Sequence, residues 1–306
     1  MTFMRALFAG IRMANSAGRV ILTLYVLNLL LAIPIALGFR ATVTAAFGGS
    51  MGPGNLVEGF DFTVVQDFMN RHGEEIQPLS RQMAGFAFLS MLLSTFLAGG
   101  TLSFLREKNG SFSAEAFFKG CGKYFSRFFR LFLIFGILLI LLAVILSVGL
   151  GTAFTQVAEG ASSEVTAFAA FIAVGMAFLL PVMLLMMAAD YAKVITVAHD
   201  ARSMAGVTSD AVRFILKNFF PAVSLQLMLL LLALLLIAAY WGFEGLIGMT
   251  SSLSIVVVFL VQQVFMTLRM WVRVTFFAGE TTLYEARKPQ PVSFIGWDDP
   301  PLLTKT

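Results

Sequence analysis

The sequence is poor in the residues that carry most protein chemistry: 306 residues include one cysteine, two histidines and only 12% charged side chains. A lone Cys121 excludes an internal disulfide framework and any thiolate metal cluster, and is read as a small apolar filler. No GxSxG elbow, Walker loop or HExxH pair occurs. A paired-aspartate motif of the kind that transfers phosphoalcohols between lipids is missing as well. Catalysis is therefore not expected, and no cofactor or metal is implied. Strand-like alternation is also absent.

What the sequence has in excess is apolar side chains, at 58% of the chain, with 32 phenylalanines. That is more apolar surface than one soluble core of this size can bury, which points to a membrane protein. The apolar residues are bunched into six runs, at 20–39, 83–105, 131–150, 165–189, 222–241 and 251–277. Runs of about 20 residues match a helix crossing about 30 Å of hydrocarbon. Pro34 and Pro181 lie inside two of them, which a membrane helix tolerates where neighbours satisfy the freed carbonyl.

The net charge of +4 is not a nucleic-acid signal, because its distribution follows the membrane. Of the 21 Lys and Arg, all but Arg40, Arg71 and Arg81 fall on one side of a six-span arrangement. Basic residues are retained in the cytoplasm, so both termini are expected there. No cleaved leader is expected, since the first apolar run is longer than a signal core. His72 and His199 then fall on opposite sides, so one chain cannot build a histidine metal site.

Three segments before spans read as basic amphipathic helices in the headgroup region. The first places Phe3, Leu7, Phe8 and Ile11 on one face and Arg5 and Arg12 on another. The second, capped by Ser113, places Phe118, Cys121, Phe125 and Phe128 opposite Lys119, Lys123, Arg127 and Arg130. The third, capped by Thr208 or Ser209, places Phe214, Ile215 and Phe219 opposite Asp210, Arg213 and Lys217. Lys119, Lys123, Arg127, Arg130, Arg213 and Lys217 are the candidate contacts to anionic lipid headgroups. Residues 1–288 thus form one membrane domain, with candidate repeat units 1–108, 109–205 and 206–288. Each unit is an amphipathic helix followed by a helical hairpin. A short helix starting at Asp61 is expected in the long connection between the first two spans, and residues 289–306 read as an extended tail.

Two places concentrate polar chemistry. In AADYAKVITVAHD, Asp190 and Lys193 are three apart and can pair, whereas Asp190 and His199 face about 180° apart on a continuous helix. This stretch reads mainly as the fourth span leaving the bilayer, with His199 in water. In the sixth span Gln262, Arg269, Arg273 and Glu280 fall within about 20° of one line. Polar groups at membrane depth normally face protein or a cavity. The stripe either lines a polar path or an anion site, or places Arg269 and Arg273 at the interface, snorkelling or paired with Asp190. Asn28, Gln226 and Gln263 add hydrogen-bonding groups within the spans.

The runs STFLAGGTLSFLRE, SFSAEAFFKGCGKYFSRFFRLF and DYAKVITVAHDARSMAGVTSDAVRFILKN, with the later AGETTLYEARKP, resemble a group of bacterial six-span integral membrane proteins of unassigned function. These are distantly similar to the membrane domain that precedes the catalytic domain in some glycerophosphodiester phosphodiesterases. The resemblance implies a helical bundle in the bacterial inner membrane. No catalytic domain follows the sixth span, so the phosphodiesterase activity is not expected here. The function expected from sequence is a non-enzymatic structural or accessory membrane protein, in a larger complex or self-associated. The alternative is a transporter or lipid-handling protein using the sixth-span stripe.

Overall fold

A computed structural model describes residues 3–47, 73–107, 112–160, 163–247 and 251–288. Among them there are eight helices and no strand. In chain order these are α1 (Phe3–Ser16), α2 (Gly18–Phe47), α3 (Gly73–Arg106), α4 (Ala114–Glu159), α5 (Glu164–His199), α6 (Met204–Lys217), α7 (Phe219–Leu246) and α8 (Ser252–Arg287). All but α1 and α6 are long and apolar enough to cross a membrane. Each apolar run of the sequence falls on one of these six, the last beginning at the N-cap of α8. The helix expected from Asp61 and the tail 289–306 lie outside the described residues.

The chain treats its three amphipathic segments differently. The second is continuous with its span, making α4 a single helix of 46 residues, roughly 69 Å long at 1.5 Å per residue. The third is separated from its span at Asn218. Pro221 explains this break, since in a continuous helix its ring would collide with the carbonyl of Lys217 and its missing N–H would leave that carbonyl unbonded. The third helix also starts earlier than the expected caps at Thr208 and Ser209. Ser203 is the N-cap, accepting from the Gly206 N–H, because Met204 and Val207 are buried and carry the apolar face back by one turn.

None of the three lies free on a surface. α1 packs on α8, the 113–130 portion of α4 packs on α3, and α6 packs on α5. The returning spans α3, α5 and α8 also touch one another pairwise, so they form a central trio with one amphipathic segment docked on each. This changes which faces are buried. In α1 the inward residues are Ala6, Gly10 and Ala14, while Phe8 is 62% exposed. In α4 the buried line is Phe117, Cys121, Tyr124, Phe128, Leu131 and Phe135, with Phe118 outside it. In α6, Phe214 and Ile215 are buried, while Phe219, which opens α7, is exposed. Docking on a helix selects the side with small or shape-matched residues, whereas the sequence reading sorted only by polarity.

Two docking points depend on glycine. A Cβ on Gly10 would lie 2.8 Å from the Gly279 nitrogen and 3.2 Å from the Thr275 carbonyl oxygen. A Cβ on Gly100 would lie 2.7 Å from the Phe117 carbonyl oxygen and against the Cys121 sulfur. Backbone contacts of this kind cannot be relieved by turning a side chain.

The core sits toward one end of the bundle. Its buried residues come from α1, the start of α2, the last part of α3, the first part of α4, 187–197 of α5, α6, the start of α7 and 270–284 of α8. The other halves of the spans keep Ile137, Ile140, Ile145, Val165, Phe168, Trp241 and Leu253 exposed. Those halves pack mainly within hairpins, as in the stack of Tyr240 on Phe265 and the edge contact of Phe154 with Phe171. Their continuous apolar surface matches a lipid environment.

Gly10→Ala is expected to destabilise the protein by roughly 1–3 kcal/mol, the usual cost of overpacking, read as a lower melting temperature in detergent. Gly85→Ala is the control, since a Cβ there meets nothing within 4 Å. Equal melting of the two variants would show that α1 does not dock as described.

Candidate functional site

The polar groups of the spans collect where the central trio leaves the apolar zone. Arg273 lies 21 residues beyond Ser252, about 32 Å along α8 by its rise, the thickness of a bilayer's hydrocarbon. There Ser94 of α3, Asp190 and Lys193 of α5, and Arg269 and Arg273 of α8 surround an open cleft of about 350 Å³. The Lys193 ammonium donates to Asp190 Oδ1 at 2.7 Å, the i,i+3 pair that the spacing requires. It also sits 5.8 Å from the centre of the Phe277 ring, within reach of a cation–π attraction. Arg273 donates through Nη2 to the Ser94 hydroxyl at 2.6 Å and to the Ser94 carbonyl at 2.9 Å.

The expected stripe on the sixth span is therefore divided. Gln262 and Arg269 are exposed, Arg273 is half-buried, and Glu280 is 1% exposed. Arg273 shares the cleft with Asp190 but spends its hydrogen bonds on Ser94, while Asp190 holds Lys193. Gln263, one position off the stripe, takes the interhelical bond, accepting from the Tyr25 hydroxyl of α2 at 2.7 Å. Asn28 donates to the Leu24 carbonyl at 2.7 Å and reaches the Met270 sulfur at 3.7 Å. Gln226 is buried at the start of α7. Ser94 carries no motif, and only its placement on a facing helix reveals it.

Glu280 is buried on α8, near enough to α5 to feel the charges of Asp190 and Lys193. Neither of its carboxyl oxygens has a hydrogen-bond partner among the described residues, and the same holds for the hydroxyl of buried Tyr191. A carboxyl in that position opposes folding, because its lost hydration is not replaced.

Most of the remaining described cations, Arg40 and Arg81 excepted, sit on the same end. Arg106, the last residue of α3, donates to the Val197 carbonyl of α5 at 2.5 Å, capping a helix end with a positive charge where the dipole favours it. Asp200, which follows α5, has φ 49°, a left-handed conformation that aspartate tolerates better than most residues. Its side chain accepts from Arg127 at 2.6 Å and lies 3.3 Å from the Lys123 ammonium. The hydrogen bond from Arg127 holds its carboxyl below the ordinary carboxylate range. The resulting contribution is present at neutral pH and is lost as pH falls through that lowered value. Lys119 and Lys123 border an open cleft of about 530 Å³ between α3 and α4. Arg130 is exposed, 3.3 Å from the Ser126 hydroxyl. Arg213 and Lys217 border a separate cavity beside His199. His199 is exposed, as expected of a group in water, and its Nε2 also lies 2.8 Å from the Tyr284 hydroxyl of α8.

Among the described residues no group of three or more His, Cys, Asp or Glu is placed to hold a metal ion. No family model, curated protein or solved structure compared with the chain matches it. What the fold and site define is a multi-pass helical membrane protein with a cationic cleft at the edge of its apolar zone.

Glu280→Met keeps the volume and removes the unpartnered carboxyl. It is expected to raise the melting temperature, by analogy with buried charges replaced by apolar isosteres, which are neutral to about 4 kcal/mol stabilising. A large fall in melting temperature would mean that the carboxyl has a partner holding it in place.

Proposed function

We propose that this protein binds rather than catalyses, and that the cleft between α3, α5 and α8 takes the anionic headgroup of a membrane amphiphile. The observation that carries this reading is the gathering of Lys193, Arg269 and Arg273 against the single carboxylate of Asp190. They meet at the depth where hydrocarbon gives way to headgroups. Each basic residue near an anionic leaflet contributes on the order of 1 kcal/mol. Arg273 is pre-organised by Ser94, and a planar guanidinium suits phosphate or carboxylate oxygens. The apolar surface that α8 exposes at Phe259, Leu260 and Val264 offers a track for acyl chains.

A second reading is the accessory or structural role in a larger assembly or a homo-oligomer. It is supported by exposed aromatic side chains on several arms, Phe88 on α3, Phe168 and Phe171 on α5 and Phe259 on α8. In a bilayer such surfaces associate by packing. We further propose the bacterial inner membrane as the location, with the end bearing α1 and the C-terminus of α8 in the cytoplasm, following the charge bias. An alkaline phosphatase fused after Lys288 should then be inactive in cells, and an active fusion would reverse the orientation.

Gentle extraction followed by native mass spectrometry tests both binding readings. Wild-type protein is expected to retain an anionic lipid, with retention falling roughly tenfold in Arg269→Glu. Equal retention by the variant would reject the headgroup cleft, and a stoichiometric protein partner in place of lipid would establish the accessory role.

A further inference from the structure

A second cavity, of about 330 Å³, lies between α5, α6 and α8. Its residues are further along both long helices than the headgroup cleft. His199 lies six residues past Lys193, and Arg287 fourteen past Arg273, which corresponds to roughly 9 and 21 Å of helix. It therefore stands on the water side of the apolar zone. Arg213 and Lys217 come from α6 and Arg287 from the last turn of α8. Among the described residues Asp210 is the only carboxylate in the wall. It lies 3.9 Å from Arg213, and both side chains are more than half exposed, so the pair is weak and well screened.

The wall is ordered on its inner side. Asn218, at the junction of α6 and α7, donates through Nδ2 to the Phe214 carbonyl at 3.0 Å and accepts from Arg287 Nη1 at 3.1 Å. Its amide thereby fixes where the guanidinium stands. Tyr284 is held by His199 on one side and by the Phe214 ring, 5.0 Å between centroids, on another. Arg213 and Lys217, one turn apart and exposed on α6, repel each other at the cavity unless an anion lies between them. The volume is in the range of ordinary small-molecule sites.

We propose that this cavity is a binding site for a phosphate group, with Arg213, Lys217 and Arg287 supplying charge and hydrogen bonds and Tyr284 a hydroxyl. The phosphate has two possible sources with one chemistry, a soluble phosphate compound or the headgroup of a lipid drawn to the mouth of the site. The inference is independent of the headgroup cleft, which uses other residues.

The test uses the full chain reconstituted in nanodiscs of pure phosphatidylcholine, titrated calorimetrically with inorganic phosphate. A parallel sample in nanodiscs containing phosphatidylglycerol is analysed for retained lipid by native mass spectrometry. The comparison variant is Arg213→Ala combined with Lys217→Ala. Both side chains are exposed, so its melting temperature is expected to match wild type. Arg269→Glu serves as the control for the other cleft. Phosphate binding in phosphatidylcholine that weakens roughly tenfold or more in the double variant, and not in Arg269→Glu, assigns a soluble ligand. Absence of phosphate binding, with the double variant losing one bound phosphatidylglycerol that Arg269→Glu keeps, assigns a lipid headgroup. Binding of neither probe, or binding that the double variant leaves unchanged, overturns the proposal.

Discussion

Close approach of helix backbones is the constraint on which this structure rests. Inside a bilayer, lipid tails are as apolar as the side chains they would replace, so helices gain little by burying leucine and associate through tight packing and polar contacts. Here that packing is concentrated at one end. α1 meets α8 where Gly10 faces Gly279, and α4 meets α3 where Gly100 faces Phe117 and Cys121. α6 meets α5 instead through aromatic contact, Phe214 lying 5.0 Å from Tyr191. With three amphipathic segments docked on three mutually touching spans, the base is cross-braced. The far halves of the spans are left as paired arms with apolar surfaces outward.

This arrangement gives the cations two kinds of work. Some close the structure. Arg106 satisfies a terminal carbonyl of α5, Arg127 reaches the aspartate just past that helix, and Arg273 ties α8 to Ser94 of α3. Each joins an element to a neighbour remote in sequence, so each helps fix the crossing geometry that the glycines permit. The others, among them Arg269, Arg213 and Lys217, are exposed around clefts and are available to anions from outside the chain. The two cation-lined clefts thus stand at different heights on one scaffold, one at the edge of the apolar zone and one beyond it.

Glu280 is the exception to this economy. It is buried on α8 and without hydrogen bonds among the described residues, near the Asp190–Lys193 pair that lines the cationic cleft. The buried threonines, by contrast, are satisfied locally. Thr95, Thr101, Thr196 and Thr275 each donate back to a carbonyl four residues earlier, the usual solution for a hydroxyl within an apolar helix. Glu280 has too long a side chain for that solution and no donor placed to meet it.

By itself the sequence determined the helical class, the six spans and the end of the bundle that carries the charge. These follow from run length, apolar content and the one-sided placement of Lys and Arg, properties local to each segment. It also showed that Asp190 and Lys193 can pair, since residues three apart share a helix face, while leaving Asp190 open to Arg269 and Arg273 as well. Tertiary structure alone decided which face of each amphipathic helix is inward. Polarity placed Cys121 and Phe128 correctly on the inward side of α4, but it also turned Phe8 of α1 and Phe118 of α4 inward, whereas burial went to Gly10 and Tyr124, since a docking helix selects for close fit and lipid can solvate whatever phenylalanine is left out. Partners across helices were equally illegible: Ser94 for Arg273, Tyr25 for Gln263, Tyr284 for His199 and Val197 for Arg106. Each depends on the rotation and height of two helices relative to one another, which a single helix's periodicity does not encode.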